Sequence, residues 1–132
     1  MAQRIVSFND GDCIIKAGER HQRMYIILEG SVEIAIDEGM KSVVLAKLKK
    51  NDFFGEISLI HNIPRSASAF SKGPSKLTYI DSLAELEKVM EKNPVYTRMM
   101  VIELTKRLAE TDRILRSELG GRSKAAIANF TW

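Results

Sequence analysis

Along residues 30–36, GSVEIAI, apolar and polar side chains alternate: Val32, Ile34 and Ile36 fall on one face, and Ser31, Glu33 and Ala35 on the other. A period of two predicts a strand with one buried face. Asp37, Glu38 and Gly39 supply turn chemistry, and SVVLAKL at residues 42–48 reads as the returning strand. Upstream, CIIKAGE is a short strand closed by Gly18, and RMYIILEG is another closed by Gly30; downstream, KLTYID is one more. Many short strands with Gly-rich turns predict a sandwich, barrel or jelly roll.

The last third changes period. Ser82 followed by Glu85 has capping-box spacing, just ahead of Leu86, Val89 and Met90. This helix stops near Asn93, and Asn93-Pro94 reads as the N-cap and first proline of a second helix. The second helix runs to Leu119, where Gly120-Gly121 ends it, a length of roughly 39 Å at 1.5 Å per residue. Within it, Val101, Leu104, Leu108, Thr111 and Leu115 recur at alternating spacings of 3 and 4, a heptad seam with one polar break at Thr111. Met100, Ile102 and Ile114 offer a second apolar face. The seam predicts a homodimer through the long helix, beside the alternative that it packs on its own domain.

Composition narrows the class. A chain of 132 residues with 45% apolar and 28% charged residues is one soluble domain with a real core. It has no apolar run long enough to span a membrane and no secretory h-region, so a membrane partner is not expected. Cys13 is the single cysteine, which excludes an internal disulfide framework, and cytoplasm is the expected location. Net charge is +3, and the bases are scattered apart from KLKK at residues 47–50, which reads as a solvated strand end rather than a nucleic-acid stripe.

The candidate chemistry sits in FGEISLIHNIPRSASA, residues 54–69. Gly55 permits close backbone approach or a positive φ. The following GEISLI is long enough for one helical turn, whose first N–H groups would face an anion. Arg65 can complete an anion site with a bidentate pair, Ser66 adds a hydroxyl, and Ala67 keeps volume open. Glu56 accepts hydrogen bonds and suits a hydroxyl on the same ligand, so a sugar phosphate would satisfy both. The spacing leaves open a plain Glu56–Arg65 ion pair that braces a loop.

This stretch resembles the phosphate-binding cassette of cyclic nucleotide-binding domains, the sensor modules of the catabolite activator protein, cyclic-nucleotide-dependent kinases and gated channels. The matching residues are Phe54-Gly55-Glu56-Ile57-Ser58-Leu59, then Pro64-Arg65-Ser66-Ala67; Gly11, Gly18 and Gly30 and the two helices also fit. The resemblance implies a mainly β fold with C-terminal α structure: a jelly roll (a double-stranded β-helix) over about residues 1–81, and a short and a long helix over about 82–119. Residues 120–132 remain as a tail. It implies that Glu56 binds the ribose 2′-hydroxyl and Arg65 the cyclic phosphate. Gly55, Ile57 and Ser58 would lend backbone groups, Ser66 and Ala67 would line the phosphate side, and Phe54 opens the motif. In bacterial members the long helix supplies base contacts and pairs with a second subunit; Thr111 and Asp112 fall at those positions. Ser58 stands where many relatives have alanine.

The implied function is a non-catalytic sensor of cAMP or cGMP that signals through its C-terminal helix to an effector the sequence does not name. The alternative is the sensor piece of a larger regulator. The 13 residues after Leu119 cannot hold a helix-turn-helix domain, so DNA binding by this chain alone is not expected. An enzyme of cupin type needs clustered histidines, and His21 and His61 are forty positions apart. No metal or bound cofactor is expected; the same two histidines and one cysteine make haem a poor fit.

Overall fold

The computed structural model describes residues 4–118 apart from His21, Gly39 and Ser66, with the backbone alone at Glu38, Leu115 and Glu118. Six strands precede the long helices: β1 Ile5–Phe8, β2 Cys13–Ile15, β3 Met24–Glu38, β4 Lys41–Leu48, β5 Phe53–Phe54 and β6 Ser68–Ile80. A one-and-a-half-turn helix, α1 (Glu56–His61), lies between β5 and β6, and α2 (Leu83–Lys92) and α3 (Pro94–Glu118) close the described chain. The pairing is antiparallel throughout, in the order β1-β6-β3-β4, with β2 on β6 and β5 on β3. This is the jelly-roll arrangement with C-terminal helices that the sequence predicts.

Two corrections concern strand length. Gly30 does not close a strand; β3 runs through it to Glu38. Gly30 adopts φ +93°, and a Cβ there would lie 2.5 Å from the Pro74 carbonyl oxygen, so the residue serves a bend where β3 and β6 cross closely. The β3–β6 register shifts on both sides of Glu29, as expected when a bulge re-aims a strand. In the same way β6 starts well before KLTYID, at Ser68, because small residues with weak strand preference are carried by the ladder to β3. The alternation in β3 holds for Val32, Ile34 and Ile36; Ala35 is buried with them at an irregularity in the β3–β4 register.

Neighbouring residues in the strands feed two cores. Tyr25, Ile27, Val32, Ile34, Phe54 and Leu77 fill the inside of the roll. Met24, Phe53, Leu59 and Ile80 point the other way and meet Leu86 of α2 and Met100 of α3. Phe53 and Phe54 thus divide between the cores, as period-two geometry requires. Each large side chain buried this fully contributes roughly 1.5–3 kcal/mol. Because β5 leads directly into α1, the split fixes the cassette between the roll interior and α3.

The helix signals resolve in detail. The Ser82 side chain accepts a hydrogen bond from the Glu85 N–H and caps α2. Pro94 opens α3 as its first residue. The Asn93 side chain does not cap α3; its amide donates 2.8 Å back to the Val89 carbonyl, while its own carbonyl accepts from the Thr97 N–H.

Candidate functional site

β5 ends at Phe54, whose ring stacks on Tyr25 at 5.3 Å. The chain then turns through Gly55 at φ +87°, and α1 begins. A Cβ on Gly55 would sit 2.5 Å from both the Arg23 carbonyl oxygen and Arg65 Nη1, so the hydrogen side chain is required by conformation and by space. After α1, Asn62 takes the left-handed conformation and the chain returns through Pro64 to Arg65. The Arg65 backbone is clamped to the β2–β3 loop on both sides: its N–H donates to the Glu19 carbonyl at 2.9 Å, and its carbonyl accepts from the Gly18 N–H at 2.7 Å. The Arg65 guanidinium donates from Nη2 to the Arg23 carbonyl at 2.6 Å, and Arg23 is itself held by its guanidinium over the Tyr79 ring at 4.1 Å.

Glu56 is 3% exposed and Arg65 6% exposed, so the acid and the base are both buried in one cassette. Burial pushes the Glu56 carboxyl above its ordinary range, opposed mainly by the Arg107 charge. Burial pulls the Arg65 guanidinium down, opposed by Tyr25, Glu56 and Glu19. Ile57 is half-buried, and Ser58 turns its hydroxyl to the Ile63 carbonyl at 3.1 Å, bracing the loop with its side chain. Ala67 lies in the roll core. Ser66 lies outside the described residues.

Arg107, on α3, is the residue that sequence reasoning passed over. Its Nη1 pairs with Glu56 Oε1 at 3.3 Å, its Nη2 donates to the Phe53 carbonyl at 2.5 Å, and its Nε bonds Glu103 at 3.2 Å. The guanidinium also lies 4.5 Å over the Phe53 ring. Glu56 Oε2 is buried and has no hydrogen-bond partner among the described residues. An available signal was position: Arg107 stands four residues before Thr111, on the same face of α3.

Thr111 is 3% exposed and, with Arg107, lines a cavity of about 340 Å³ between β4 and α3, whose opposite wall includes Leu45, Ala46 and Leu48. Asp112 is not brought there. Its side chain is 56% exposed and pairs with Arg116 at 3.1 Å, because the next residue on a helix points about 100° away. The heptad seam is also divided: Leu104 packs on the helix–sheet core, whereas Val101 and Leu108 are exposed. The Leu115 side chain lies outside the description.

A buried acid and a buried arginine on a glycine-initiated turn, beneath a long helix, suit an anionic ligand that also carries a hydroxyl. A profile described as "Cyclic nucleotide-binding domain" matches residues 5–93. The chain belongs to the cyclic nucleotide-binding domain family. Within the family, it is 37% identical over 76 residues to the cAMP-dependent protein kinase type II regulatory subunit of Drosophila melanogaster, covering 57% of this chain and 20% of that protein. It is 36% identical over 80 residues to the cAMP-dependent protein kinase regulatory subunit of Dictyostelium discoideum, covering 58% and 24%. Among solved structures it resembles the Thermus thermophilus catabolite activator protein, with TM-score 0.75 and 25% identity over 86% of this chain and 54% of that one. It also resembles PKAR CBD2 bound to Sp-2Cl-cAMPS, with TM-score 0.63 and 25% identity over 93% and 75%. The domain therefore spans a quarter or less of the curated relatives it matches. Among the described residues no helix is long and apolar enough to cross a membrane, and no three potential ligands cluster as a metal site.

Proposed function

We propose that this domain is a non-catalytic sensor of cyclic nucleotide, cAMP foremost, and that α3 reports occupancy. The observation that carries the reading is the state of Glu56: Oε1 is engaged by Arg107, while Oε2 is buried with no partner among the described residues. A buried acceptor without a donor costs roughly 1–3 kcal/mol. A ribose 2′-hydroxyl donating to Oε2 would recover that cost. The same ligand's cyclic phosphate would lie against the Arg65 guanidinium and the N–H groups at the first turn of α1, with Gly55, Ile57, Ser58, Ser66 and Ala67 around it. The base would enter the cavity between β4 and α3 and meet Thr111. Both named kinase relatives are cAMP-dependent, which favours cAMP over cGMP.

Since Arg107 joins Glu56 to α3, a ligand at Glu56 acts on the helix directly. Its preference for one pose of α3 would shift the population of poses and send the signal. Exposed Val101 and Leu108 would pair with a second copy, giving a cytoplasmic homodimer; Asp112, on the flank away from the cavity, would then face the partner. Its partial coverage of the catabolite activator protein equally fits a sensor piece of a longer regulator with a separate output domain.

The test is Glu56→Gln, titrated calorimetrically with cAMP and with its 2′-deoxy analogue. The substitution should weaken cAMP by roughly tenfold, about 1.4 kcal/mol, and leave the deoxy analogue nearly unchanged. Equal losses for both ligands would assign Glu56 to the loop instead of the ribose.

A further inference from the structure

Phe54, Tyr25 and Tyr79 stand opposite one another on β5, β3 and β6, so their side chains share one face of the sheet. The Tyr25 ring stacks on Phe54 at 5.3 Å and meets Tyr79 at 6.0 Å, tilted by 55°. Arg4, one residue ahead of the Ile5–Thr78 pair, extends the row beyond β1, with its guanidinium 5.3 Å over the Tyr79 ring. That guanidinium is pinned in turn by Asp81 at 3.2 Å and by Glu85, in the first turn of α2, at 3.0 Å. An aromatic ladder thus runs from the first residue of the cassette to the start of α2.

Arg23 joins this ladder to the arginine of the cassette. It is half-buried and stands immediately before β3. Its guanidinium lies 4.1 Å over the Tyr79 ring, while its carbonyl accepts from Arg65 Nη2 at 2.6 Å. The Tyr25 side chain interacts with both guanidiniums. The Arg23 carbonyl oxygen and Arg65 Nη1 are also the two atoms that a Gly55 Cβ would meet first, so the Arg23 peptide and the Arg65 head group bound the same corner of the cassette. We propose that Arg23 and Tyr79 are positioning residues for Arg65, a role that rests on the sensor reading above: the stack on Tyr79 fixes the Arg23 carbonyl, and that carbonyl holds the Arg65 guanidinium in the pose that receives the phosphate. The residue type at position 23 matters, because a planar guanidinium stacks on a ring and a lysine ammonium does not. Without the stack, the long Arg65 side chain is ordered during binding instead of beforehand, and affinity falls.

Two measurements test this. In the unaltered protein without ligand, NMR should show the Arg65 Nη protons as separate, slowly exchanging signals, and Tyr79→Leu or Arg23→Lys should merge them. By calorimetry, either substitution should weaken cAMP roughly three- to tenfold, the loss expected when one long side chain is ordered on binding. Tyr79→Phe, which keeps the ring, should restore both the signals and the affinity. In an Arg65→Ala background neither substitution should cost anything further, because both act through Arg65. Arg23→Lys keeps the charge and lies outside both cores, so it decides the matter if Tyr79→Leu fails to fold by circular dichroism. Merged Arg65 signals in the unaltered protein, or unchanged affinity in the folded variants, overturn the proposal. A loss of the same size without Arg65 also overturns it, because Arg23 would then contact the phosphate itself. Failure of the unaltered protein to bind cAMP, with the Arg65 signals as expected, would remove the sensor reading and leave the hold on Arg65 standing.

Discussion

Replacing Arg107 with alanine removes one partner of a buried ion pair. The side chains of Arg107 and Glu56 are 9% and 4% exposed, so the solvent screening that makes surface pairs nearly worthless does not apply. Breaking a buried pair from one side costs roughly 3–5 kcal/mol, because the remaining charge is stranded. The 3.3 Å contact is longer than an optimal charge-assisted bond, and Glu56 can relieve itself by binding a proton, which places the expected loss near about 3 kcal/mol. In urea this lowers the midpoint by about 1–3 M. The pH dependence is specific. The folded carboxyl already lies above its ordinary 4.5, and losing Arg107, the largest opposing influence, raises it further. A folded state that holds a proton the unfolded chain has released loses stability as pH rises. The Glu56 part of the deficit should therefore be absent while pH lies below the already raised folded value of the unaltered protein, and develop above it, towards the still higher value of the variant. What persists in acid includes the lost bonds to the Phe53 carbonyl and to Glu103 and the lost ring contact. Adding Glu56→Gln to Arg107→Ala should restore much of the neutral-pH loss. Unchanged urea midpoints at neutral pH, or a deficit that grows in acid, would refute the reasoning.

Gly55→Ala should be severe for a single methyl group, costing about 1–3 kcal/mol in backbone strain alone. Its Cβ also collides with the Arg23 carbonyl and Arg65 Nη1, so cyclic nucleotide affinity should fall with urea stability; normal values for both would contradict the described turn. Leu108→Glu falls on a residue 63% exposed on the single chain, so it should leave the fold intact by circular dichroism while converting a dimer to a monomer in light scattering. A monomer in the unaltered protein would remove the helix-mediated dimer.

Parts of β2, β3, β4 and β6 and the helix starts were legible in the chain because their signals are local, whereas the short strands β1 and β5 were not read. Alternation marked the middle of β3, Ser82 and Glu85 marked α2, and Pro94 marked α3. The continuation of β3 through Gly30 was not legible, since a glycine that closes a turn and one that bends a strand look alike until the crossing strand is known. Arg107 was hidden for a similar reason. Its partner Glu56 lies 51 positions away, and within LTKRLAET it reads as one more solvated base. Thr111 was singled out as a polar break in a heptad seam. The burial of Thr111 and exposure of Leu108 split that seam between the roll and the outer flank, a division that heptad spacing does not encode. Asp112 was named with Thr111 from the resemblance to bacterial members; on α3 the two face different ways, and Asp112 pairs with Arg116.

Calorimetric titration of the unaltered protein and of Arg65→Ala with cAMP tests the central claim most directly. The account predicts saturable one-to-one binding to the unaltered domain. Arg65 reaches the site from a backbone clamped on both sides, and hydrogen bonds to charged groups are worth about 1.5–3 kcal/mol. Arg65→Ala should therefore bind roughly ten- to a hundredfold more weakly while remaining folded. No heat of binding with the unaltered protein, or equal affinity in the folded variant, would contradict the account.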